Sequence, residues 1–378
     1  MISLPRSVYL HVPFCRHRCG YCDFSLMTGR EDLFDKYFLA ITRELDRVQV
    51  PLELDTLYFG GGTPSHLGSE GLRRLFDSLE GTLCVCPGAE VTIEANPIDI
   101  TKEFVKSALA CQVSRVSLGA QSLNNKTLRA LDRQHLEIDV RRAVELLLAE
   151  GFAVNIDVMT AAPGQSLDEV ENDLAAVIAL GVHHVSVYCL TWEKGTRFES
   201  MRLRGELSPV SESIEESMFE MAIDRLEEGG FSHYEVSNFA RNGFRCRHNE
   251  MYWDCRPWEA FGPSAARFDG QTRLTNHRSP TTWMQRVLEG IDPVEERDAM
   301  TDLAAARERV VLGLRRRDGL DRTAFFSVTG FSLDNLIGEL IARWVLDGLA
   351  QDNGQQVRLT RPGLLVSDAL WGEVLLNR

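Results

Sequence analysis

Apolar residues recur along this chain in two alternating patterns. Short β-rich runs fall at residues 8–12, 56–59, 91–94, 115–118, 154–159 and 184–188. Between them, apolar positions return every three or four residues, as a helix with one buried face requires. The first such stretch, 34–48, sets Phe34, Phe38, Ile41, Leu45 and Val48 on one stripe. Residues 72–79, 102–110, 140–150 and 167–180 follow the same rule. Gly151 and Gly181 stand just past two of these stretches, where helices take their C-terminal caps. Six strand–helix units in this order predict a parallel sheet. Its crossovers must cover both faces of the sheet or wrap it into part of a barrel.

After about residue 205 the pattern changes. A long helix is expected at 212–228 and a strand at 232–235. Residues 237–280 are rich in Asn, Arg, His, Trp and Pro, and read as one irregular segment. A loop of that length in a compact domain is usually functional. Helical spacing returns at 303–314 and 334–346. Asn353-Gly354 between two short apolar runs predicts a hairpin, and 363–376 reads as a last helix. Helices around one hairpin suggest a winged-helix-like unit.

Composition narrows the class. The 378 residues are 44% hydrophobic and 25% charged, an ordinary globular balance. The length suits two domains, or one with an appendage. A net charge of −14 disfavours nonspecific binding to nucleic acid or to an anionic membrane face. Arg315-Arg316-Arg317 is the densest basic run and reads as a solvated helix end. No apolar run approaches the roughly 20 residues of a membrane span. The opening residues do not have the shape of a signal peptide. Nine cysteines without an export signal point to reduced thiols and a cytoplasmic setting. Cys84, Cys86, Cys111, Cys189 and Cys255 read as core or incidental residues.

Chemistry concentrates near the start. Cys15, Cys19 and Cys22 follow the first strand with spacing C-x3-C-x2-C. Three thiolates in one loop are soft ligands for zinc or an iron–sulfur cluster. Structural zinc usually closes with a fourth protein ligand, and no second CxxC follows at zinc-finger spacing. A 4Fe-4S cluster usually has four cysteines, so a triad leaves one iron open to a small molecule. Gly60-Gly61-Gly62-Thr63 ends the second strand, where glycines let backbone approach a ligand. Glu94, Gln121 and Asp157 stand on later strands. Carboxylate and amide side chains there can hold ribose hydroxyls. Farther on, His248 lies beside Tyr252 and Trp253. An imidazole next to flat apolar rings reads as a packed aromatic loop with a hydrogen-bonded histidine, or as an axial ligand for heme iron.

These strings together resemble a known family. The triad, with Tyr21 before its last cysteine, is similar to that of the radical S-adenosylmethionine (SAM) enzymes. The wider string Tyr9-x-His-x-Pro-Phe-Cys…Tyr-Cys-Asp-Phe24 resembles the oxygen-independent coproporphyrinogen III oxidase-like group, and within it the heme-chaperone branch. The resemblance implies an α/β fold: a six-unit partial TIM barrel over 1–205, a barrel extension with a heme-contacting segment over 206–295, and a mainly helical, winged-helix-like domain over 296–378. It implies a 4Fe-4S cluster on Cys15, Cys19 and Cys22, with SAM as second cofactor. Tyr9, Tyr21, Gly61, Gly62, Thr63, Glu94, Gln121, Arg133 and Asp157 would hold SAM, with Arg133 on its carboxylate and Tyr188–Thr191 edging the adenine. His248, in His-Asn-x-x-Tyr-Trp, would bind heme, the third cofactor, with Arg245 or Arg247 on a propionate. Phe261–Ala266 would return near the SAM site. Implied partners are heme or porphyrin, a heme-acceptor protein and an electron donor such as a flavodoxin or ferredoxin.

Three departures refine the expectation. The oxidases carry a cysteine where this chain has Phe24. They also carry an N-terminal arm before the first strand. Both differences favour heme chaperone over decarboxylase, so no residue is assigned a catalytic role. The family's Gly-Leu-Pro-Gly-Gln reads Ala161-Ala-Pro-Gly-Gln165 here.

Overall fold

The computed structural model describes residues 4–376. The chain starts with β1 (Ser7–Val12), then two short strands, β2 (Phe14–Cys15) and β3 (Met27–Thr28), that pair beside the cysteine loop. It continues through α1 (Phe34–Leu45), β4 (Leu52–Gly61), α2 (Gly68–Leu79), β5 (Leu83–Ala95), α3 (Lys102–Ala110) and β6 (Arg115–Gln121). A short α4 (Asn125–Ala130) precedes α5 (Glu137–Ala149), β7 (Ala153–Thr160), α6 (Leu167–Ala179) and β8 (His184–Cys189). The strands β1, β4, β5, β6, β7 and β8 pair in that order, all parallel. The six expected strand–helix units thus form the expected α/β partial barrel. Gly151 and Gly181 close α5 and α6 at φ +82° and +72°.

Alternation along each strand sorts the barrel's two faces. Leu57, Phe59, Val91, Ile93, Val116, Leu118, Val154, Ile156 and Val185 point outward, each 1% exposed or less. They pack in one cluster with Ile41, Leu72, Phe104, Val144 and Leu174 of the helices. Burial of each such side chain contributes roughly 1.5–3 kcal/mol. The intervening residues point inward and are mostly polar: Tyr58, Thr92, Glu94, Arg115, Ser117, Asn155, Asp157, His184 and Ser186 line a central cavity. An interior of that kind is costly unless each group is hydrogen-bonded or meets a polar ligand.

Beyond the barrel the chain runs α7 (Arg197–Leu203), α8 (Glu212–Glu228), β9 (Ser232–His233), β10 (Asn238–Ala240), α9 (Arg247–Trp253), β11 (Glu259–Phe261), β12 (Ala266–Phe268), β13 (Thr272–Asn276), α10 (Pro280–Leu288) and β14 (Val294–Ala299). This corrects the reading of 237–280 as irregular. Its elements are three to seven residues long, too short to show a period. Pairing across the fold makes them. β11 lies parallel to β1 and β10 antiparallel to β8, extending the sheet to nine strands.

The last unit holds α11 (Asp302–Leu314), β15 (Leu320–Asp321), α12 (Arg322–Thr329), α13 (Leu333–Leu346), β16 (Ala350–Asp352), β17 (Gln356–Leu359), α14 (Arg361–Leu365) and α15 (Ser367–Leu376). Val310, Leu314, Phe325, Ile341, Trp344 and Val357 form its own core. The expected hairpin is β16–β17, with Gly354 at φ +84°, and β15 adds a third strand. The single helix expected over 363–376 is two, broken at Val366.

The arginine run is also corrected, since it is no solvated helix end. Arg315 pairs with fully buried Glu235 at 3.2 Å and Arg316 with Asp254 at 2.6 Å. The Arg317 backbone N–H donates to Tyr234 O at 3.0 Å. The three residues join the last unit to the barrel extension. Among the described residues, no helix is long and apolar enough to cross a membrane.

Candidate cofactor site

The cavity measures about 570 Å³ and opens toward the cysteine loop. Cys15 and Cys19 are buried and Cys22 is half-buried. The loop is shaped by its own polar groups. Cys22 N–H donates to Cys19 O at 3.1 Å, and Arg18 donates to the carbonyls of Cys22, Phe24 and Leu26. Phe198 of α7 covers the loop, and its N–H donates to Gly20 O at 2.8 Å. A Cβ on Gly20 would stand 2.1 Å from the Phe198 ring, so only glycine fits there. Phe198 also belongs to a small apolar cluster with Leu131, Met159 and Leu190, against which Tyr21 packs. That cover escaped the sequence reading, because residues 197–203 carry no signature of their own.

The glycine run is stitched to the same loop. Gly62 N–H donates to Val12 O at 2.8 Å, and Thr63 N–H to Phe14 O at 2.7 Å. Thr63 Oγ1 lies 3.1 Å from Cys15 Sγ. Gly61 sits at φ +111°, and a Cβ there would stand 2.6 Å from the His11 ring. Ala161, where the family carries glycine, takes φ +61°, a left-handed region that glycine holds without strain.

Across the cavity stands Arg133. Nη2 donates to Gly119 O at 2.7 Å, Nη1 to Cys19 Sγ at 3.3 Å, and buried Nε has no partner. An orphaned donor on a fork beside the thiols suits a carboxylate ligand. Glu94 accepts from Tyr58 Oη at 2.8 Å and from Gly61 N–H at 3.1 Å. Burial pushes its carboxyl up to about 7, and nearby Asp157 adds to the rise. Burial likewise raises Asp157, against the pull of Ser186, Asn155 and Ser117. Asn155 Nδ2 donates to Asp157 Oδ1 at 2.8 Å, fixing that carboxylate. Gln121 holds its place at φ +67°.

Of the sequence-assigned residues, Cys15, Cys19, Cys22, Tyr21, Gly61, Gly62, Thr63, Glu94, Gln121, Arg133 and Asp157 all line this one cavity. Tyr9 and His248 do not. Tyr9 lies behind Tyr58, ring on ring at 6.1 Å, with its hydroxyl 3.2 Å from His11 Nδ1. His248 is 1% exposed. Its Nδ1 lies 2.9 Å from Thr56 Oγ1, its Nε2 lies 3.0 Å from Tyr252 Oη, and its ring stacks on Tyr58. Burial pushes its pKa down to about 3. Both nitrogens are committed, so as folded the ring offers no lone pair to iron. Tyr252 packs on Trp258, and Trp253 on Tyr234. Arg245 pairs with Asp318, and Arg247 donates to Gly88 O. The motif residue on the cavity wall is Asn249, along with Cys246. Phe261 pairs with Leu10 in parallel register, so the chain after β11 runs toward the same strand ends as the cysteine loop, although Phe261–Ala266 does not line the cavity.

Among the described residues, no three His, Cys, Asp or Glu side chains converge closely enough to hold one metal ion. Three cysteine thiols on one loop, with Arg133 and its unpartnered Nε beside Cys19, fit a 4Fe-4S cluster with SAM beside it.

Comparison with known proteins agrees. Residues 9–177 match the radical SAM superfamily and 300–366 the HemN C-terminal domain. The chain also superposes on the Escherichia coli coproporphyrinogen III oxidase HemN, a radical SAM enzyme. That match has a TM-score of 0.88 and 21% identity, covering 99% of this chain and 91% of the other. The class is thus radical SAM with a HemN-like architecture. The heme chaperone HemW of Mycobacterium tuberculosis is 36% identical over 98% of this chain and 95% of its own. HemW of Lactococcus lactis is 33% identical over 100% and 99%, and that of Escherichia coli 31% over 98% and 98%. The chain belongs to the HemW family.

If Glu94 accepts from the ribose hydroxyls of SAM, the site gains a pH dependence: burial raises its pKa to about 7, so below that value the carboxyl must lose a proton to accept with both oxygens. Affinity for SAM should fall about tenfold from pH 8 to pH 6. Calorimetry at the two pH values checks this, and Glu94→Gln should flatten the slope. An unaltered slope in that variant would assign the effect to another group.

Proposed function

We propose that this chain is a heme-binding chaperone on a radical SAM scaffold: it carries a 4Fe-4S cluster on Cys15, Cys19 and Cys22, binds SAM in the cavity, and passes heme to an acceptor protein. The observation that carries this reading is the full-length likeness to proteins named heme chaperone. Phe24, 59% exposed at the cavity mouth, supports it, because the oxidases carry a cysteine there. Cluster and SAM together supply one-electron cleavage of a carbon–sulfur bond. The protein's own part is to orient SAM through Arg133, Glu94, Gln121 and Asp157. Phe198 of α7 packs over Gly20 of the cluster loop. A flavodoxin- or ferredoxin-like donor and a cytoplasmic setting complete the proposal. The complete cavity favours a second reading, porphyrinogen decarboxylation, because a pure carrier does not require it. Anaerobic protein offered hemin and coproporphyrinogen in parallel decides: a shifted Soret band without protoporphyrinogen supports the chaperone, and turnover without heme binding overturns it.

His248 is kept as the proposed axial ligand, with one condition. The helix α9 must move off Tyr58 and break the bonds to Thr56 and Tyr252 before iron can reach the ring. Heme uptake should then be slow. Tyr252→Phe, which frees Nε2 of a bond worth about 1 kcal/mol, should speed uptake about fivefold. His248→Ala should remove the Soret shift. A wild-type Soret band in that variant would make His248 a core residue and nothing more.

A further inference from the structure

Two of the residues assigned to SAM, Gln121 and Arg133, stand on the connection between β6 and α5. Gln121 has φ +67°, and Asp132, next to Arg133, has φ +57°. Residues other than glycine hold that region only where their surroundings impose it. Three ties impose it here. Buried His135 donates to Ala120 O at 2.8 Å. Asp132 accepts from His17 at 2.8 Å and pairs with Arg197 at 2.6 Å.

The third tie comes from outside the site. Asp173, on α6, is 2% exposed and is flanked on its helix by buried Val170, Leu174 and Val177. Ser122 Oγ donates to its Oδ2 at 2.5 Å, and Leu123 N–H to its Oδ1 at 2.9 Å. Ser122 Oγ also accepts from Asn124 N–H at 2.9 Å, and Asn124 caps α4, which leads to Arg133. Burial pushes the Asp173 carboxyl up to about 6. A carboxylate on an apolar helix face is costly, and this one spends both oxygens on the turn that starts at Gln121.

We propose that Asp173 is a positioning residue for the SAM site: through Ser122 and Leu123 it fixes the left-handed turn at Gln121 and the start of the segment that delivers Arg133. The proposal rests on the cavity being a SAM site. It assigns no contact between Asp173 and ligand.

The test uses the full chain after anaerobic reconstitution. Asp173→Asn keeps the shape and can still accept from Leu123 N–H, but it replaces the oxygen facing Ser122 with an amide donor and removes the charge from both bonds. SAM affinity by calorimetry should fall about tenfold, with the cluster absorbance retained. A double-mutant cycle with Gln121→Ala separates positioning from general support. Acting through the turn that carries Gln121 toward Arg133, Asp173→Asn should cost less affinity in the Gln121→Ala or the Arg133→Ala background than in wild type. Losses fully additive with both, or unchanged affinity in Asp173→Asn, would overturn the role. Should Asp173→Asn fail to fold, Ser122→Ala removes one tie and should weaken SAM in the same direction; unchanged affinity there counts equally against it. Wild-type protein that bound no SAM would sink the cofactor reading itself, whereas wild-type binding matched by Asp173→Asn would sink this role alone.

Discussion

Replacing Cys19 with alanine should abolish the visible absorbance of the anaerobically reconstituted protein. Cys15, Cys19 and Cys22 share one loop held mainly by contacts other than those of its thiols. Arg18 ties three of its carbonyls, Phe198 closes over Gly20, and the backbone of Gly62 and Thr63 holds its base. The loop should therefore persist with one ligand missing. What is lost is coordination. Clusters of this type usually have four cysteine ligands, and a site that begins with three has none to spare. Cys84→Ala is the control, since Cys84 is exposed and off the cavity. It should reconstitute like wild type, and both variants should melt close to it. Full absorbance in Cys19→Ala would remove the triad from the metal site. Equal loss in Cys84→Ala would mean that reconstitution reports folding rather than ligation.

The barrel and most of its site were legible because each part carries a local signal. Apolar runs marked the strands, and three- to four-residue spacing marked the helices. Cysteine spacing, the glycine run and polar residues at strand ends marked the cavity. What stayed hidden depends on partners far away in sequence. His248 and Asn249 are neighbours, but successive residues of a helix point about 100° apart. That puts the histidine on Tyr58 and the asparagine on the cavity wall. Nothing in the local string says which of the two faces in, because the answer lies in Thr56 and Tyr58 on β4. The buried pair of Arg115 and Glu90, at 3.0 Å, was hidden for the same reason. Glu90 also accepts from His248 N–H at 3.1 Å, and so fixes the start of α9. The arginines at 315–317 looked solvated because Glu235 and Asp254, their counter-charges, lie about 60 to 80 residues earlier. Even the strands β10 and β11 were unreadable alone, since an edge strand of three residues is defined by the strand it joins.

Arg133→Ala should weaken SAM binding without loss of fold. The side chain is anchored by Nη2 on Gly119 O, and its remaining donors face the cysteine loop, with buried Nε unpartnered. A carboxylate placed there would meet a charge-assisted bond worth roughly 1.5–3 kcal/mol, or about tenfold to a hundredfold in affinity. Arg133→Lys should recover only part of this, because a single ammonium cannot reproduce the planar fork. The order wild type, lysine, alanine is therefore the signature of a carboxylate site. Arg133 also donates to Cys19 Sγ at 3.3 Å, so the cluster spectrum must be recorded alongside each affinity. An intact spectrum with weakened SAM isolates the carboxylate contact. An intact spectrum with unchanged SAM affinity would mean that Arg133 serves the thiol and Gly119 alone, and the SAM carboxylate would need another partner in the cavity.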